Sequence, residues 1–393
     1  MAKFEKHSKT KFVRSCEYPI GNGFLPTVPA FSATTILFDQ PDLVPPIDDT
    51  SLLNASNKGE IHYGGIDTPT THVLSSAVSK IEGGKRAILL PSGQAAICCL
   101  LLSLLSKEHH ALVCKYITYT TKWLVEHLQL RVGFELEYFD SLQGNEIAHK
   151  LQDNTGLVFL ESPGAVTYVV SDVPGITNVT RRHGITTALD NTWAASQFFA
   201  PFEKDVDISI LSLTKYHCGP SGVTLGAVVT SNDEIFERVK KASALLGYNV
   251  SSDACARAAG CLPTLAVRMG AQSATATEVL DLLTRHQKID CVVHPSLETC
   301  AGHAFWRRDF SGSNSLISFQ VHGGPAARSK FLNALKLVRF GHGWGGLHSV
   351  AAVLQAPNYG EPHIAEDEFI RLYIGLEDPA DLIDDIKYAL TRI

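Results

Sequence analysis

Short apolar runs alternate with amphipathic stretches between about residue 63 and residue 250. The runs are bounded by turn residues, which is typical of buried strands, whereas the stretch at 71–81 has helical spacing and stops at Gly83-Gly84. The pattern predicts strands at 86–90, 111–116, 157–160, 185–189, 208–213 and 224–230, and helices at 71–81, 93–105 and 122–130. Such alternation predicts a mostly parallel sheet covered by helices on both faces.

The pattern differs on either side of this region. Residues 1–62 are rich in proline and show little periodicity, which predicts an extended arm that contacts a neighbouring subunit. After residue 250, a long helical stretch at 254–283 is broken at Pro263. Strand-like segments at 290–293 and 315–321 and helices near 326–334 and 379–389 follow. We therefore expect three parts: the arm at 1–62, an α/β domain at 63–250 and a smaller α+β domain at 251–393.

Composition narrows the class of protein. The 393 residues are 45% hydrophobic and 19% charged, with a formal net charge of −6, which favours a large core and argues against a nucleic-acid partner. The apolar run at 96–105 is too short to span a membrane, and no signal-type segment begins the chain. Nine cysteines, without zinc-ligand spacing, are interpreted as thiols of a reducing, cytoplasmic enzyme, and no metal site is predicted.

The candidate chemistry begins with Lys215 and Asp190. Each follows a predicted strand, and an acid and a lysine at successive strand ends can converge on one ligand at the carboxyl edge of a sheet. Pyridoxal phosphate requires this pair, because it needs an amine for covalent attachment and a carboxylate at its pyridine nitrogen. Taken singly, Lys215 reads more simply as a solvated loop lysine and Asp190 as a helix cap.

A candidate phosphate site accompanies this pair. Gly93 and Gln94 open a predicted helix directly after a strand, where free backbone amides and the helix dipole favour an anion. Such a turn is common by itself, but Ser212 and Thr214 beside the lysine add hydroxyl donors. An enzyme that forms a Schiff base through its lysine without a cofactor is the alternative, but it does not explain this candidate phosphate site.

Several ordered segments from about residue 63 to residue 393 carry a family resemblance. The chain resembles the Cys/Met-metabolism enzymes dependent on pyridoxal phosphate, and within them the bacterial cystathionine β-lyases. The most specific segments are Glu161-Ser162-Pro163-Gly164, Asp190-Asn191-Thr192-Trp193-Ala194, Thr214-Lys215-Tyr216, 303–310, Trp344-Gly345-Gly346 and 370–378. Gly164 is similar to the β-lyase branch, where γ-lyases and synthases usually show an asparagine–proline step.

The resemblance implies a fold and a set of roles. The fold is type I of the PLP-dependent transferases, which is aspartate aminotransferase-like, with a mostly parallel central sheet and a smaller C-terminal α+β domain. Lys215 would attach the cofactor and move protons, Asp190 would face the pyridinium, and Tyr119 would stack on the ring. The implied phosphate ligands are Gly93, Gln94, Ser212, Thr214 and, reaching into a neighbouring subunit, Tyr63.

The implied substrate is an amino-acid thioether. Arg371 would clamp its α-carboxylate, Trp344 would wall the pocket, and the backbone of Gly343 would assist. The implied reaction is a carbon–sulfur β-elimination that releases a thiol, pyruvate and ammonia, as in methionine biosynthesis. γ-Elimination, replacement and racemisation share the cofactor, and a non-catalytic family member is the remaining alternative. A homo-oligomer is expected, and the family usually forms a dimer of dimers.

Two positions depart from the family pattern. Gly65 stands where an arginine usually follows the phosphate tyrosine, and that arginine helps to hold the far end of cystathionine. Loss of such a charge-assisted contact costs about 1.5–3 kcal/mol. Gly343 replaces a common serine, and His342 a common tyrosine. The sequence therefore predicts a β-lyase whose preferred thioether differs from cystathionine.

Overall fold

The computed structural model describes residues 8–44, 61–356 and 368–393. The described part of the N-terminal arm forms a short helix and a two-stranded hairpin: α1 (Ser8–Val13), β1 (Tyr18–Ile20) and β2 (Gly23–Leu25). Phe12, Cys16 and Val28 are buried, so the arm is anchored on its own chain. Its contact with a neighbouring subunit stays a prediction, and residues 1–7 and 45–60 of the arm lie outside the described residues.

The central sheet has seven strands in the order β3-β9-β8-β7-β6-β4-β5. They are β3 (Arg86–Leu90), β4 (His110–Cys114), β5 (Glu135–Phe139), β6 (Thr155–Glu161), β7 (Thr186–Asp190), β8 (Ile208–Leu211) and β9 (Gly226–Thr230). Five neighbouring strands pair in parallel, and β9 is antiparallel to both β3 and β8. The predicted mostly parallel sheet is confirmed.

Helices flank this sheet, and local sequence sets their ends. They are α2 (Pro69–Glu82), α3 (Gly93–Leu104), α4 (Tyr119–Val132), α5 (Val173–Arg182) and α6 (Asp233–Leu245). At the start of α2, Thr68 and Thr71 form a reciprocal capping box, and Gly83 ends the helix with φ 92°. Asn232 caps α6 by accepting hydrogen bonds from the next backbone amides. The sequence reading did not predict α5, α6 or the edge strand β5.

The C-terminal part contains a second, smaller sheet with the order β10-β11-β14-β13-β12. Its elements are α7 (Ser252–Cys261), α8 (Leu265–Arg285), β10 (Ile289–Val293), α9 (His303–Asp309), β11 (Leu316–Val321), α10 (Gly324–Ala334), β12 (Arg339–Phe340), β13 (Val350–Gln355), β14 (Glu368–Tyr373) and α11 (Pro379–Leu390). The predicted break at Pro263 is confirmed, since a single 3-10 turn separates α7 from α8. The sequence reading did not predict β12, β13 or β14.

Helix α8 belongs to two cores. Leu265 and Met269, in its first half, pack with the seven-stranded sheet, whereas Val279 and Leu283 pack with the smaller sheet. The predicted boundary at residue 250 stays a prediction. None of the helices within the described ranges is long and apolar enough to cross a membrane.

Removal of a core side chain from the central sheet should destabilise the protein. Leu112, on β4, is 0% exposed, so we expect Leu112→Ala to lower the free energy of unfolding by about 2–5 kcal/mol, because the cavity remains unfilled. Leu130→Ala is the matched control, since that side chain is 81% exposed. Urea unfolding of both variants checks this, and equal losses would contradict the assigned core.

Candidate active site

The candidate site lies where β6, β7 and β8 end side by side. Glu161 pairs with Asp190 across the last positions of β6 and β7, and Asp190 pairs with Ile210 of β8. Because these strands are parallel, their carboxyl ends meet at one edge of the sheet. The turn after β8 then carries Lys215 to the same edge, so the predicted pair of acid and lysine is brought together.

Lys215 is largely enclosed by the C-terminal part of the chain. Its Nζ lies 5.3 Å from the centre of the Trp344 ring. Burial, and next the charge of Arg371, lowers the pKa of Lys215, while Asp190 acts in the opposite direction. This environment increases the fraction of unprotonated amine, which is the form that attacks a carbonyl or accepts a proton.

A glycine allows the two parts of the chain to approach closely at this lysine. Gly345 has φ +91°, and a Cβ there would lie 2.5 Å from the carbonyl carbon of Lys215. The next carbonyl, of Gly346, accepts hydrogen bonds from the Tyr373 hydroxyl at 2.6 Å and from the Gln272 amide at 2.9 Å. The segment that carries Trp344 is therefore fixed against the backbone of Lys215.

Two half-buried carboxyl groups, Glu161 and Asp190, form the acid end of the site. Burial raises the pKa of both Glu161 and Asp190, and the charge of Asp190 adds to the effect on Glu161. Asp190 accepts a hydrogen bond from the Thr192 amide at 3.0 Å, and the field of Lys215 favours its ionised form. A cationic ring nitrogen placed here would relieve the crowding of negative charge.

Thr118 connects Glu161 to helix α4. The Glu161 carboxylate accepts hydrogen bonds from the Thr118 amide at 2.7 Å and from its hydroxyl at 2.6 Å. Thr118 occupies the N-cap position of α4, yet its side chain makes no capping bond. The hydroxyl is thus used at the site rather than in the helix, where a cap contributes about 1 kcal/mol. Tyr119 follows directly and is 74% exposed in this chain, and its stacking role stays a prediction.

A third carboxyl group, Glu82, is buried and supports the segment that follows Asp190. It accepts hydrogen bonds from Asn191 at 2.7 Å, from Ser209 at 2.5 Å and from the Ser196 hydroxyl. Ser196 has a left-handed backbone (φ 63°), which is unfavourable for a residue other than glycine. Glu82 therefore holds the segment after Asp190 in a strained conformation.

The predicted phosphate residues surround the start of α3. The amides of Gly93 and Gln94 occupy the first two helical positions and have no intrahelical acceptor. A Cβ on Gly93 would lie 2.6 Å from the Ser212 side chain, so Ser212 adjoins these amides. The Thr214 hydroxyl instead bonds to the backbone of Leu225, donating at 3.0 Å and accepting at 3.1 Å. The phosphate role of Thr214 stays a prediction, and it requires the hydroxyl to exchange the Leu225 backbone for the phosphate.

The substrate end contains Arg371, which is 8% exposed on β14. Its Nη2 donates to the carbonyl of His342 at 2.7 Å, and its buried Nε has no partner among the described residues. A buried guanidinium with free donor capacity is suited to a carboxylate. Gly343 lies between His342 and Trp344, and a Cβ there would meet nothing within 4 Å.

Tyr63 and Gly65 lie in the segment that precedes α2. The Tyr63 side chain is 49% exposed, and its contact with a neighbouring phosphate stays a prediction. A Cβ on Gly65 would lie 2.7 Å from the Tyr63 ring. Absence of a side chain at residue 65 therefore lets the tyrosine fold over its own loop.

A polar cleft of about 180 Å³ occurs elsewhere, between α2 and α6. Asp67, His72 and Lys240 are among its lining residues, and Lys240 forms an ion pair with Asp67 at 2.8 Å. None of the predicted site residues lines this cleft.

The sheet edge fits pyridoxal phosphate. It offers free amides for a phosphate, a half-buried lysine of lowered pKa for covalent attachment and a half-buried carboxyl pair for a ring nitrogen. Fold and site together define a PLP-dependent enzyme of fold type I.

Comparison with known proteins gives the family. The family model for the Cys/Met metabolism PLP-dependent enzymes matches residues 25–391. The chain therefore belongs to the Cys/Met-metabolism family of PLP-dependent enzymes. The solved structure of metB from Corynebacterium glutamicum superposes with a TM-score of 0.89 at 24% identity, covering 98% of both chains, which shows the shared fold.

Curated relatives carry more than one activity. The chain is 32% identical to the cystathionine β-lyase of Bordetella avium over 368 residues, or 93% of this chain and 92% of the relative. It is 31% identical to the L-alanine/L-glutamate racemase of Wolbachia pipientis wMel over 374 residues, which cover 93% of this chain and 92% of the racemase. The resemblance noted from the sequence is confirmed at the level of the family.

The sequence reading did not assign roles to Glu161, Thr118 or Glu82. Glu161 belongs to one of the segments that carry the family resemblance. An acid at a strand end is the signal that identified Asp190, and Glu161 carries the same signal. Glu82 directly follows the helix predicted at 71–81 and ends the observed helix, but nothing in the pattern indicates that its side chain points inward. Burial against the segment after Asp190 is visible only in three dimensions.

Glu82 should give the protein a measurable pH dependence of stability. Burial raises its pKa from the usual value near 4.5 to about 7, so the folded protein retains a proton that the unfolded chain releases in this interval. The resulting stabilisation is complete below about pH 4.5 and is lost as the pH rises through about 7. We expect the melting temperature of Glu82→Gln to fall less than that of the wild type between these pH values.

Thermal unfolding monitored by circular dichroism at several pH values tests this expectation. Glu108→Gln is the matched control, because this side chain is 76% exposed and should leave the wild-type profile unchanged. An unchanged profile in Glu82→Gln would assign the pH dependence to other groups.

Proposed function

We propose that the protein is a carbon–sulfur β-lyase that cleaves cystathionine or a related cysteine thioether. The observation that carries this proposal is the position of Lys215 at the sheet edge where Asp190 ends its strand, with its Nζ 5.3 Å from the centre of the Trp344 ring. Burial and the charge of Arg371 lower the pKa of this lysine. The similarity to a cystathionine β-lyase over 93% of the chain supports the same reaction. Cleavage of cystathionine with one water gives homocysteine, pyruvate and ammonia.

Lys215 would attach the cofactor and would also move protons. Its Nζ would remove the α-proton of the bound amino acid. Its lowered pKa favours the unprotonated amine, which is the form that serves as the base. The neighbouring Trp344 ring excludes water from the amine, and the close contact at Gly345 fixes the direction from which the lysine acts.

The remaining residues bind and orient. Bound pyridoxal phosphate withdraws electrons from the α-carbon, and Asp190 favours the protonated state of its ring nitrogen. Arg371 binds the α-carboxylate, with Gly343 and Trp344 forming the adjacent wall. We assign the phosphate to Gly93, Gln94, Ser212 and Thr214, the ring stack to Tyr119, and a contact from a neighbouring subunit to Tyr63.

Racemisation of an amino acid is the second candidate. It is favoured by the similarity to an L-alanine/L-glutamate racemase and by Gly65, which removes the arginine expected for cystathionine. Both reactions begin with removal of the α-proton by Lys215. Racemisation then returns a proton to the opposite face of the α-carbon, and no group leaves the β-carbon.

We further propose a cytoplasmic homotetramer that serves methionine biosynthesis. The exposure of Tyr63 and Tyr119, both assigned to the cofactor, supports an assembly in which subunits complete one another's sites. The nine cysteines, which all lie within the described ranges, form no disulfide, and seven are buried, which supports a reducing compartment.

Lys215→Ala should abolish turnover. Incubation of purified, cofactor-loaded protein with L-cystathionine should release pyruvate and homocysteine from the wild type and neither product from the variant. The variant should also lose the absorbance of covalently attached cofactor. Lys107→Ala, at a side chain that is 78% exposed, is the control and should match the wild type. Full activity in Lys215→Ala would reject the assignment. Formation of D-alanine when the wild type is given L-alanine instead, with no pyruvate from L-cystathionine, would favour racemisation.

Gly65→Arg should shift specificity toward cystathionine. The new guanidinium would reach the distal end of cystathionine and raise its kcat/KM about ten-fold or more, from a contact of about 1.5–3 kcal/mol. S-methylcysteine lacks that end, so its kcat/KM should stay unchanged.

Gly65→Ala is the control for displacement of the Tyr63 ring, because its Cβ alone occupies the 2.7 Å contact. Equal effects of both substitutions on both substrates would show that the distal end is held by other residues.

A further inference from the structure

The loop that follows β6 contains two residues in an unfavourable backbone conformation. Val166 has φ 63° and Tyr168 has φ 49°, values that are uncommon for residues other than glycine and are most unfavourable for β-branched valine. Such conformations persist where the surrounding structure enforces them, and they concentrate at functional sites. The loop begins only a few positions after Glu161, at the edge of the sheet.

This backbone places the Tyr168 side chain in a defined position. Tyr168 is 2% exposed, and its hydroxyl oxygen accepts a hydrogen bond from the Ser318 hydroxyl at 3.1 Å. Among the described residues, the structure shows no acceptor for the phenolic proton. The phenol therefore has one hydrogen bond left to donate.

Ser318 links Tyr168 to the strand pair that carries Arg371. Ser318, on β11, lies directly opposite Arg371 in the antiparallel ladder with β14, so their side chains share one face of the sheet. Burial raises the pKa of Tyr168, and the Ser318 hydrogen bond, followed by the charge of Arg371, acts against that rise. The buried Arg371 Nε also lacks a partner within the described part of the chain.

We propose that the Tyr168 hydroxyl is a second donor to the substrate α-carboxylate, acting beside Arg371. The inference rests on the proposed function only insofar as the site takes an amino acid with a free carboxylate. A carboxylate has enough lone pairs for both a guanidinium and a phenol. A neutral donor also strengthens binding without adding charge near the amine of Lys215.

The state of the phenol and its orientation favour this role. Burial raises the pKa of Tyr168 to about 12, so the hydroxyl keeps its proton at neutral pH and remains a donor. The Ser318 bond occupies the oxygen as an acceptor and thereby leaves the proton directed elsewhere. Tyr168 would thus make the site select carboxylates over uncharged amino-acid derivatives.

The test uses binding rather than turnover. Glycine and glycine methyl ester are titrated into cofactor-loaded protein, and the dissociation constants are read from the cofactor absorbance. Glycine has no leaving group and no stereocentre, so its binding is independent of whether the enzyme eliminates or racemises. In Tyr168→Phe, we expect the dissociation constant of glycine to rise about ten-fold or more, since a hydrogen bond to a charged group is lost. That of the ester should stay within about two-fold.

Two further variants make the result decisive. Ser318→Ala retains the phenol but removes its partner, and it should weaken glycine binding less than Tyr168→Phe, again without an effect on the ester. Tyr388→Phe, on α11, is the matched control and should change neither constant. The proposal would be overturned if Tyr168→Phe and Ser318→Ala both raised the dissociation constants of glycine and its ester equally, or if both variants left these constants unchanged.

The outcome separates this inference from the proposed function. Selective loss of glycine binding in a protein that releases no pyruvate from any thioether would support Tyr168 and reject the β-lyase. Pyruvate release with unchanged glycine selectivity would do the reverse.

Discussion

The parallel register of β6, β7 and β8 is the constraint on which the rest of the site depends. Glu161 and Asp190 are partners in one ladder, and the turn that carries Lys215 follows the next strand. A slip of one residue between these strands would turn every side chain to the opposite face and separate the acid from the lysine. The helices on both faces bury these strands and thereby enforce the register.

Burial of charge gives this arrangement its chemical character. Asp190, Glu161 and Glu82 are carboxyl groups with raised pKa values, while Lys215 and Arg371, on the other side, have lowered ones. Each group alone would be costly to bury, and the hydrogen bonds to Glu82 and Glu161 offset part of that cost. The site is thus prepared to bind a ligand that is cationic at one end and anionic at the other.

The sequence predicted the elements whose local pattern matches their final environment. The buried strands of the central sheet are continuous apolar runs, and the lysine and the acid follow directly from strand ends. β5 was missed because Glu135 and Glu137, at the edge of the sheet, interrupt its apolar pattern. β13 was missed although it is apolar, since nothing local shows which strand it pairs with.

Side-chain orientation accounts for the other differences. Thr214 has a sequence position suited to phosphate, but its hydroxyl is used by the backbone of Leu225. Tyr168 reads as an ordinary apolar-loop residue until the ladder between β11 and β14 places Ser318 and Arg371 beside it. Contacts between residues distant in the chain decide both cases, and no window of sequence contains them.

The contact between Gly345 and the backbone of Lys215 bears on how the enzyme is made. During synthesis the seven-stranded sheet leaves the ribosome long before residue 345, so its strands can pair while the lysine turn still lacks one wall. The turn takes its final shape only when the C-terminal part docks and the left-handed glycine fits against it. We therefore expect the wall beside the lysine to be completed late in folding, after the sheet that carries Asp190 has formed.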